Sequence, residues 1–329
     1  MRKTYRSTFG ATPRPDIYRK VTDQILAELE AGRVPWVQPW DTSHAGIGLP
    51  FNAASQRRYS GVNILTLWHA VTARGFTGHG FLTFRQATAL GGTVRRGERG
   101  TPIVYTRRIS PDDRRVRADD GDHPAGKRYS FLKSFTVFSV DQCEGLPDHI
   151  QARPEPVPNG LILPAAQALI DATEADFRIG GPEAYYSPVH DFVAVPRPEA
   201  FHEPINWHRT AFHELAHWAG HSSRLNRDQS GAFGSVVYGR EELVAEMAGA
   251  FVCAALGIAP TVRHADYIGS WLAILREDHR AILRAASAAS KAADYLLAFQ
   301  RDLPLTSATA DAHVGPLDIS YVAKRRAAA

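Results

Sequence analysis

Residues 209–221 read RTAFHELAHWAGH and contain His-Glu-x-x-His at His213, Glu214 and His217. On a helix the two histidines are one turn apart and project from one face, as two imidazole ligands of a single ion must. Glu214 follows the first of them, about 100° further round, where it reaches a water on the ion and not the ion itself. The pattern therefore requires a helix here, with Asn206 as its expected N-cap and Gly220 as its stop. It also requires a third ligand from a later element, because a catalytic zinc keeps three protein ligands and one open position.

The stretch YGREELVAEMAGAFVCAALG (238–257) is strongly helical and carries Glu242 and Glu246 four apart. Ala245 and Gly249 share that face and are small enough to let this helix pack on the first. We take Glu242 as third ligand and Glu246 as acceptor for a ligand histidine's other ring N–H. The reverse assignment stays open, since both carboxylates leave one face. Glu241 points elsewhere and is expected to be solvated. His221 is set aside as a ligand, because Gly220 ends the helix and no third-histidine signature follows. Tyr238 is a candidate oxyanion donor whose plainer role is packing. Cys143 and Cys253 are too few and isolated for a disulfide framework or a Cys-rich zinc site. Two His, one Glu and an open position point to zinc-assisted amide hydrolysis, with Glu214 moving the proton.

The charge is unevenly distributed. Residues 1–150 hold 22 Lys+Arg against 14 Asp+Glu, and the remainder 16 against 20, with the proline-rich QARPEPVPN (151–159) between. A basic half joined to a mildly acidic one suggests that a polyanion contacts the first half. In that half, Ile17, Val21, Ile25 and Leu29 form an amphipathic stripe ending at Gly32. An apolar helix should start near Val62. Thr83 and Gln86 have capping-box spacing for a short helix from about Phe84 to Leu90. GTPIVY and RYSFLKSFTVFSV read as strands, and AYYSPVHDFVAVP in the second half as an extended segment or hairpin. Two consecutive Ala-rich helices should follow His264, with Ile268, Leu272 and Leu275 packed inward.

Arginines among glycines, with aromatics nearby, suit a single-stranded nucleic acid, where guanidinium groups pair with phosphates and rings stack on bases. The candidate DNA contacts on chemistry are Arg57, Arg58, Tyr59, Arg95, Arg96 and Trp36. No helix-turn-helix, zinc-finger or RNP signature is present. A 44% hydrophobic share is that of a soluble globular protein, and no run of about 18 apolar residues occurs. A cytoplasmic protein with no membrane partner is expected.

Taken in order, VPWVQPW, PFNAASQRRYSGVNILTLW, FLTFRQATALGGTVRRGERGTPIVY, FHELAHWAGHSSRLNR, REELVAEMAGAFVCAALG and ASKAADYLL make the chain resemble the ArdC family of antirestriction proteins. The resemblance covers nearly the whole chain. It implies an α+β protein of two domains: residues 1–150, a small α+β single-stranded-DNA-binding domain related to the N-terminal region of TraC-type primases, and residues 151–329, a mainly helical zincin-like metallopeptidase domain with a small sheet. It implies His213, His217 and Glu242 as ligands of Zn2+ or another divalent metal and Glu214 as the catalytic glutamate. The implied role is protection of incoming mobile-element DNA, from a conjugative plasmid for example, against host restriction. RRVRADDGDHPAGKR (114–128) looks like a variable insertion.

Two other functions compete with this one. The chain could be a stand-alone zinc metallopeptidase acting on a protein substrate, with host restriction enzymes or another protein as partner. Alternatively it is a primase-associated single-strand-binding module with a non-hydrolytic zincin domain.

Overall fold

The computed structural model describes residues 17–37, 45–109, 129–151, 159–261 and 267–302. The variable insertion lies outside them, as does the short basic C-terminal stretch YVAKRRAAA (321–329). The first amphipathic stripe forms α1 (Ile17–Glu30), and Gly32 turns the chain at φ 73°. β1 (Phe51–Asn52) leads into α2 (Val62–Arg74), then β2 (Gly80–Thr83) and α3 (Phe84–Ala89). The Thr83–Gln86 capping box is formed in both directions at α3. β3 (Thr93–Val94) pairs later with β6 (Cys143–Glu144), and between them β4 (Thr101–Ile109) and β5 (Tyr129–Ser139) make a long antiparallel ladder. The larger sheet has the order β1-β2-β5-β4, with β1 parallel to β2 and the other pairs antiparallel.

After α4 (Asp148–Gln151) and α5 (Asn159–Ala172) comes a three-stranded sheet of β7 (Asp176–Ile179), β8 (Tyr185–Ser187) and β9 (Phe192–Val195). Its order is β7-β9-β8, so β8 and β9 form the expected hairpin and β8 is an edge strand. Four helices follow: α6 (Pro204–Ala219), α7 (Val236–Ala255), α8 (Ile268–Glu277) and α9 (Ala281–Ala298). This is an α+β protein with helices and small sheets.

The helix bearing the two histidines begins two residues before the expected N-cap. Pro204 occupies the first turn and Glu203 precedes it, while the Asn206 side chain accepts from Arg209 instead. Proline's fixed φ suits the first helical position, where no N–H is needed.

One apolar core crosses the proline-rich stretch. It joins Ile25, Leu29, Trp36 and Trp68 of the first half to Phe251, Trp271 and Ile282 of the second. Trp36 meets Trp271 edge-on at 5.4 Å, and Trp68 meets Phe251 at 5.5 Å. At the start of α2, Gly61 takes φ 61° and donates its N–H to Ser290 Oγ of α9 at 2.7 Å. Asn63 of α2 holds Val104 of β4 through both its backbone groups, each at 2.8 Å. Leu275 is fully buried, with Ile268 and Leu272 packed partly against the same core.

Candidate metal centre

α6 and α7 pack against each other with Gly249 of α7 facing the His213 backbone, where a Cβ would sit in ordinary contact at 3.5 Å. This contact fixes which α7 side chains face the histidines. His213 Nε2 and His217 Nε2 lie 3.3 Å apart, and the Glu242 carboxylate reaches them at 3.5 and 3.4 Å. The three ligand atoms lie within 4.8 Å of one another. Among the described residues this is the one group of three or more His, Cys, Asp or Glu side chains that converges in this way.

Each imidazole has a second carboxylate behind it. Glu246 Oε1 stands 3.7 Å from His213 Nδ1, and Glu241 Oε1 stands 3.2 Å from His217 Nδ1. Glu241 thus corrects the expectation of a solvated residue: it is 9% exposed. Its flank of α7 is covered by the chain leaving α6. Arg227 grips both its oxygens, at 2.6 and 3.0 Å, and Gln229 adds a bond at 3.2 Å. The same two side chains cap α6, Arg227 donating to the Ala216 carbonyl and Gln229 to the His217 carbonyl. Buried charge is costly unless paired, and bidentate Arg–carboxylate geometry is among the strongest pairings.

The electrostatics follow from this packing. Burial opposes charge on His217, but hydrogen bonds to Glu241 and Glu242 outweigh it and hold the imidazole up at about 10. Burial likewise works against ionisation of Glu241 and Glu242, and the histidines together with Arg227 overcome it, leaving Glu241 at about 2 and Glu242 well below the usual carboxylate range. Glu214, Glu241, Glu242 and Glu246 are all buried, and the protonated His217 together with Arg227 offsets Glu241 and Glu242; a ligand histidine must give up that proton, so its positive charge then has to come from elsewhere. A divalent cation fits what such a donor set lacks, and two His with one Glu is a ligand set of catalytic zinc.

The centre opens into a cavity of about 280 Å³ whose walls include Tyr185, Tyr186, Glu214 and Tyr238. Burial, the Tyr267 hydroxyl 3.3 Å away and the Glu242 carboxylate keep the Tyr238 phenol protonated far above neutral pH. The β8–β9 wall is tied to the end of α6 through Arg224, which lies 4.0 Å over the Trp218 ring and pairs with Asp191. Asp191 in turn accepts from the Tyr186 hydroxyl at 2.8 Å. The Arg224 guanidinium, then the Tyr186 hydroxyl, hold the Asp191 carboxyl below its ordinary value. His221 turns to Ser223 at 2.7 Å, outside the group of three. Sequence reasoning missed Arg227, Gln229, Arg224 and Asp191, because the contacts of Arg227 and Gln229 with α6 span 11 and 12 residues and the Arg224–Asp191 pair spans 33.

Two family models match the chain: a zincin-like metallopeptidase over residues 164–288 and the N-terminal domain of anti-restriction factor ArdC over residues 15–138. The antirestriction ArdC protein from plasmid R388, solved in a metal-free form, superposes with a TM-score of 0.72 at 35% identity, over 88% of this chain and 99% of that one. The chain belongs to the ArdC family of antirestriction proteins. The Mn(II)-bound form of R388 ArdC matches with the same TM-score, 0.72, at 34% identity. The uncharacterized protein y4eC of Sinorhizobium fredii (strain NBRC 101917 / NGR234) is 38% identical over 90% of this chain and 96% of that protein. A DNA primase TraC of Escherichia coli is 33% identical over 90% of this chain, which spans only 21% of TraC's length.

The residues singled out as DNA contacts in this ArdC-family chain divide sharply. Arg57, Arg58, Arg95 and Arg96 are exposed. Arg95 also braces its own loop, bonding Glu98 at 2.9 Å and the Asp141 carbonyl at 2.6 Å. Trp36 is 0% exposed and Tyr59 6%, which corrects both as stacking platforms. The Trp36 indole is consumed by the core against Trp271, and the Tyr59 ring by the α2–sheet interface. Among the described residues no helix is long and apolar enough to cross a membrane.

Proposed function

We propose that this protein protects incoming DNA from restriction by binding it as a single strand, and that it carries a zincin-type metal centre. Residues 1–150 would hold the strand and residues 151–329 the metal. The observation that carries the reading is the convergence of His213, His217 and Glu242 beneath a cavity, within a chain that follows R388 ArdC over 88% of its length. These three side chains are the proposed ligands. Zinc suits the donor set, and the Mn(II)-bound form of R388 ArdC supports a divalent cation more generally.

A bound ion would supply Lewis acidity, lowering the pKa of a coordinated water to around 7 and polarising a substrate carbonyl. Glu214, buried in the cavity wall, would take a proton from the attacking water. The water oxygen bonds to the amide carbon, the C–N bond breaks, and Glu214 passes the proton to the departing amine. Tyr238, protonated, would donate to the developing oxyanion. β8, an edge strand lining the cavity, offers main-chain groups to an extended peptide. Glu246 and Glu241 would orient the ligand histidines.

The deciding experiment compares wild type with Glu214→Gln in a restriction-protection assay on incoming single-stranded DNA, alongside a peptidase assay. Hydrolysis should disappear while metal content is kept. Equal protection by both proteins would separate antirestriction from hydrolysis. It would favour a second reading that the TraC similarity supports, a single-strand-binding module whose metal centre is structural. A protein purified without stoichiometric metal would overturn the assignment of the centre itself.

A further inference from the structure

Tyr105 and Phe135 are large aromatics left 46% and 39% exposed on adjacent strands of the larger sheet. In the β4–β5 ladder Ile103 faces Phe135 and Tyr105 faces Lys133, so these four share one face of the sheet. α2 covers part of that face, packing Leu67, Ala70 and Val71 on Phe81, Ile103 and Val137. Beyond the covered part the sheet lies open as a groove of about 480 Å³, within the roughly 300–1,000 Å³ of small-ligand clefts.

The groove's chemistry is mixed in a specific way. Tyr105 and Phe135 meet at 5.6 Å and 78°, an L-shaped pair against which a flat ring can lie on one face and be met by the other ring. Lys133 Nζ stands 5.2 Å over the Phe135 ring at the rim. Across the floor, Asn52 and Gln86 exchange side-chain bonds at 3.1 and 3.2 Å, each spending one of its two amide hydrogens. Gln86 is itself locked by the α3 capping box, so the pair is held rigid. The Tyr59 hydroxyl is buried here beside the Asn52 side chain. Arg58 pairs across from Phe51, beside Asn52, and both Arg57 and Arg58 are exposed.

We infer that this groove is a nucleobase-binding subsite for single-stranded DNA, in which Tyr105 and Phe135 stack on a base and the Asn52–Gln86 amides meet its polar edge. Lys133, Arg57 and Arg58 supply the positive charge that the flanking phosphates need. Stacking is tolerant of sequence because every base has a π-face, whereas phosphate contacts alone bind a strand with or without bases. The inference rests on the single-strand reading above and replaces Trp36 and Tyr59 as the stacking residues.

The test measures fluorescence anisotropy of a labelled oligothymidylate and an abasic strand of equal length at one fixed salt concentration. Wild type should prefer the base-bearing strand. Tyr105→Ala and Phe135→Ala together should weaken oligothymidylate binding by about 5- to 150-fold while leaving the abasic strand nearly unchanged. Tyr105→Phe, which keeps a stacking ring, should bind like wild type. Both substituted side chains are exposed, so the variants should fold, and circular dichroism is the check on this. As an independent readout, 5-iododeoxyuridine should photocrosslink within β4 or β5. If wild type holds both strands equally, or the double alanine variant keeps wild-type affinity, the groove is not a base site although the protein still binds single strands. If wild type binds neither strand, the single-strand reading fails and the groove assignment falls with it.

Discussion

Glu241 Oε1 lies 3.2 Å from His217 Nδ1, on the side of the imidazole away from Glu242. This leaves Nε2 directed at the group of three and fixes the ring's rotation. Arg227 completes the chain of contacts by holding both Glu241 oxygens. The candidate metal centre is thus supported from behind by a residue whose own position is set by the loop after α6.

Glu241→Gln should keep the fold and weaken divalent-metal affinity about 10- to 100-fold, as removal of an outer carboxylate partner of a ligand histidine does. Competition against a chromogenic chelator reads this directly. Arg227→Ala is expected to do more harm, because it removes the bidentate partner of a buried carboxylate and leaves it only His217 and Gln229, and breaking a buried ion pair costs up to about 3–5 kcal/mol. Unchanged affinity in Glu241→Gln would reduce its contact with His217 to simple packing.

Metal removal should be visible in stability. A ligand that binds only the folded state stabilises it by about 2.7 kcal/mol at a hundred times its Kd. Titrating Zn2+ or Mn2+ into chelator-treated protein should therefore raise the melting temperature. In His213→Ala the rise should vanish. A rise that survives in this variant would mean the ion binds elsewhere.

Much of the framework was legible because it depends on local pattern. The stripe of α1, the start of α2 near Val62, the Thr83–Gln86 capping box and the β8–β9 hairpin all follow from periodicity or turn chemistry within a few residues. That His213 and His217 share a face was legible from helical spacing, but Glu242 and Glu246 leave one face of α7, and only the packing of α7 on α6 brings Glu242 into the group of three. What was not legible depended on elements meeting across the chain. Trp36 looked like a stacking residue in a loop until Trp271 covered it. Glu241 looked solvated because the covering loop carries no periodic signal. Tyr105 and Phe135 sit in strands whose alternation reads as ordinary core, and only the limited reach of α2 leaves them open.

α1 and α2 are joined by a contact that should respond to pH. His69 Nδ1 stands 2.5 Å from Glu28 Oε1, and this hydrogen bond, against the opposing effect of burial, raises the His69 pKa above its ordinary 6.5. A histidine whose folded pKa is raised contributes stability that is complete below the unfolded value and is lost as pH rises through the folded one. Urea midpoints measured from pH 6 upward should therefore fall through that window, and His69→Gln should flatten the fall. An identical slope in the variant would show that other groups carry it.

Gly220 gives the last prediction, and its reason differs from the one its sequence position suggests. It follows α6 as a stop, yet its φ of −77° is open to any residue. What requires glycine is space: a Cβ would stand 2.6 Å from Arg227 Nη2 and 2.8 Å from Gln229 Nε2. These two side chains cross Gly220 to reach the α6 carbonyls and Glu241. Gly220→Ala should therefore displace them, weaken metal binding in the same direction as Glu241→Gln, and cost about 1–3 kcal/mol as overpacking does. Because Gly220 and Glu241 act through the same guanidinium, Gly220→Ala combined with Glu241→Gln should lower metal affinity by less than the product of the two single effects. Multiplicative losses in that double-mutant cycle would show that Gly220 acts on the fold independently of the contact between Glu241 and His217.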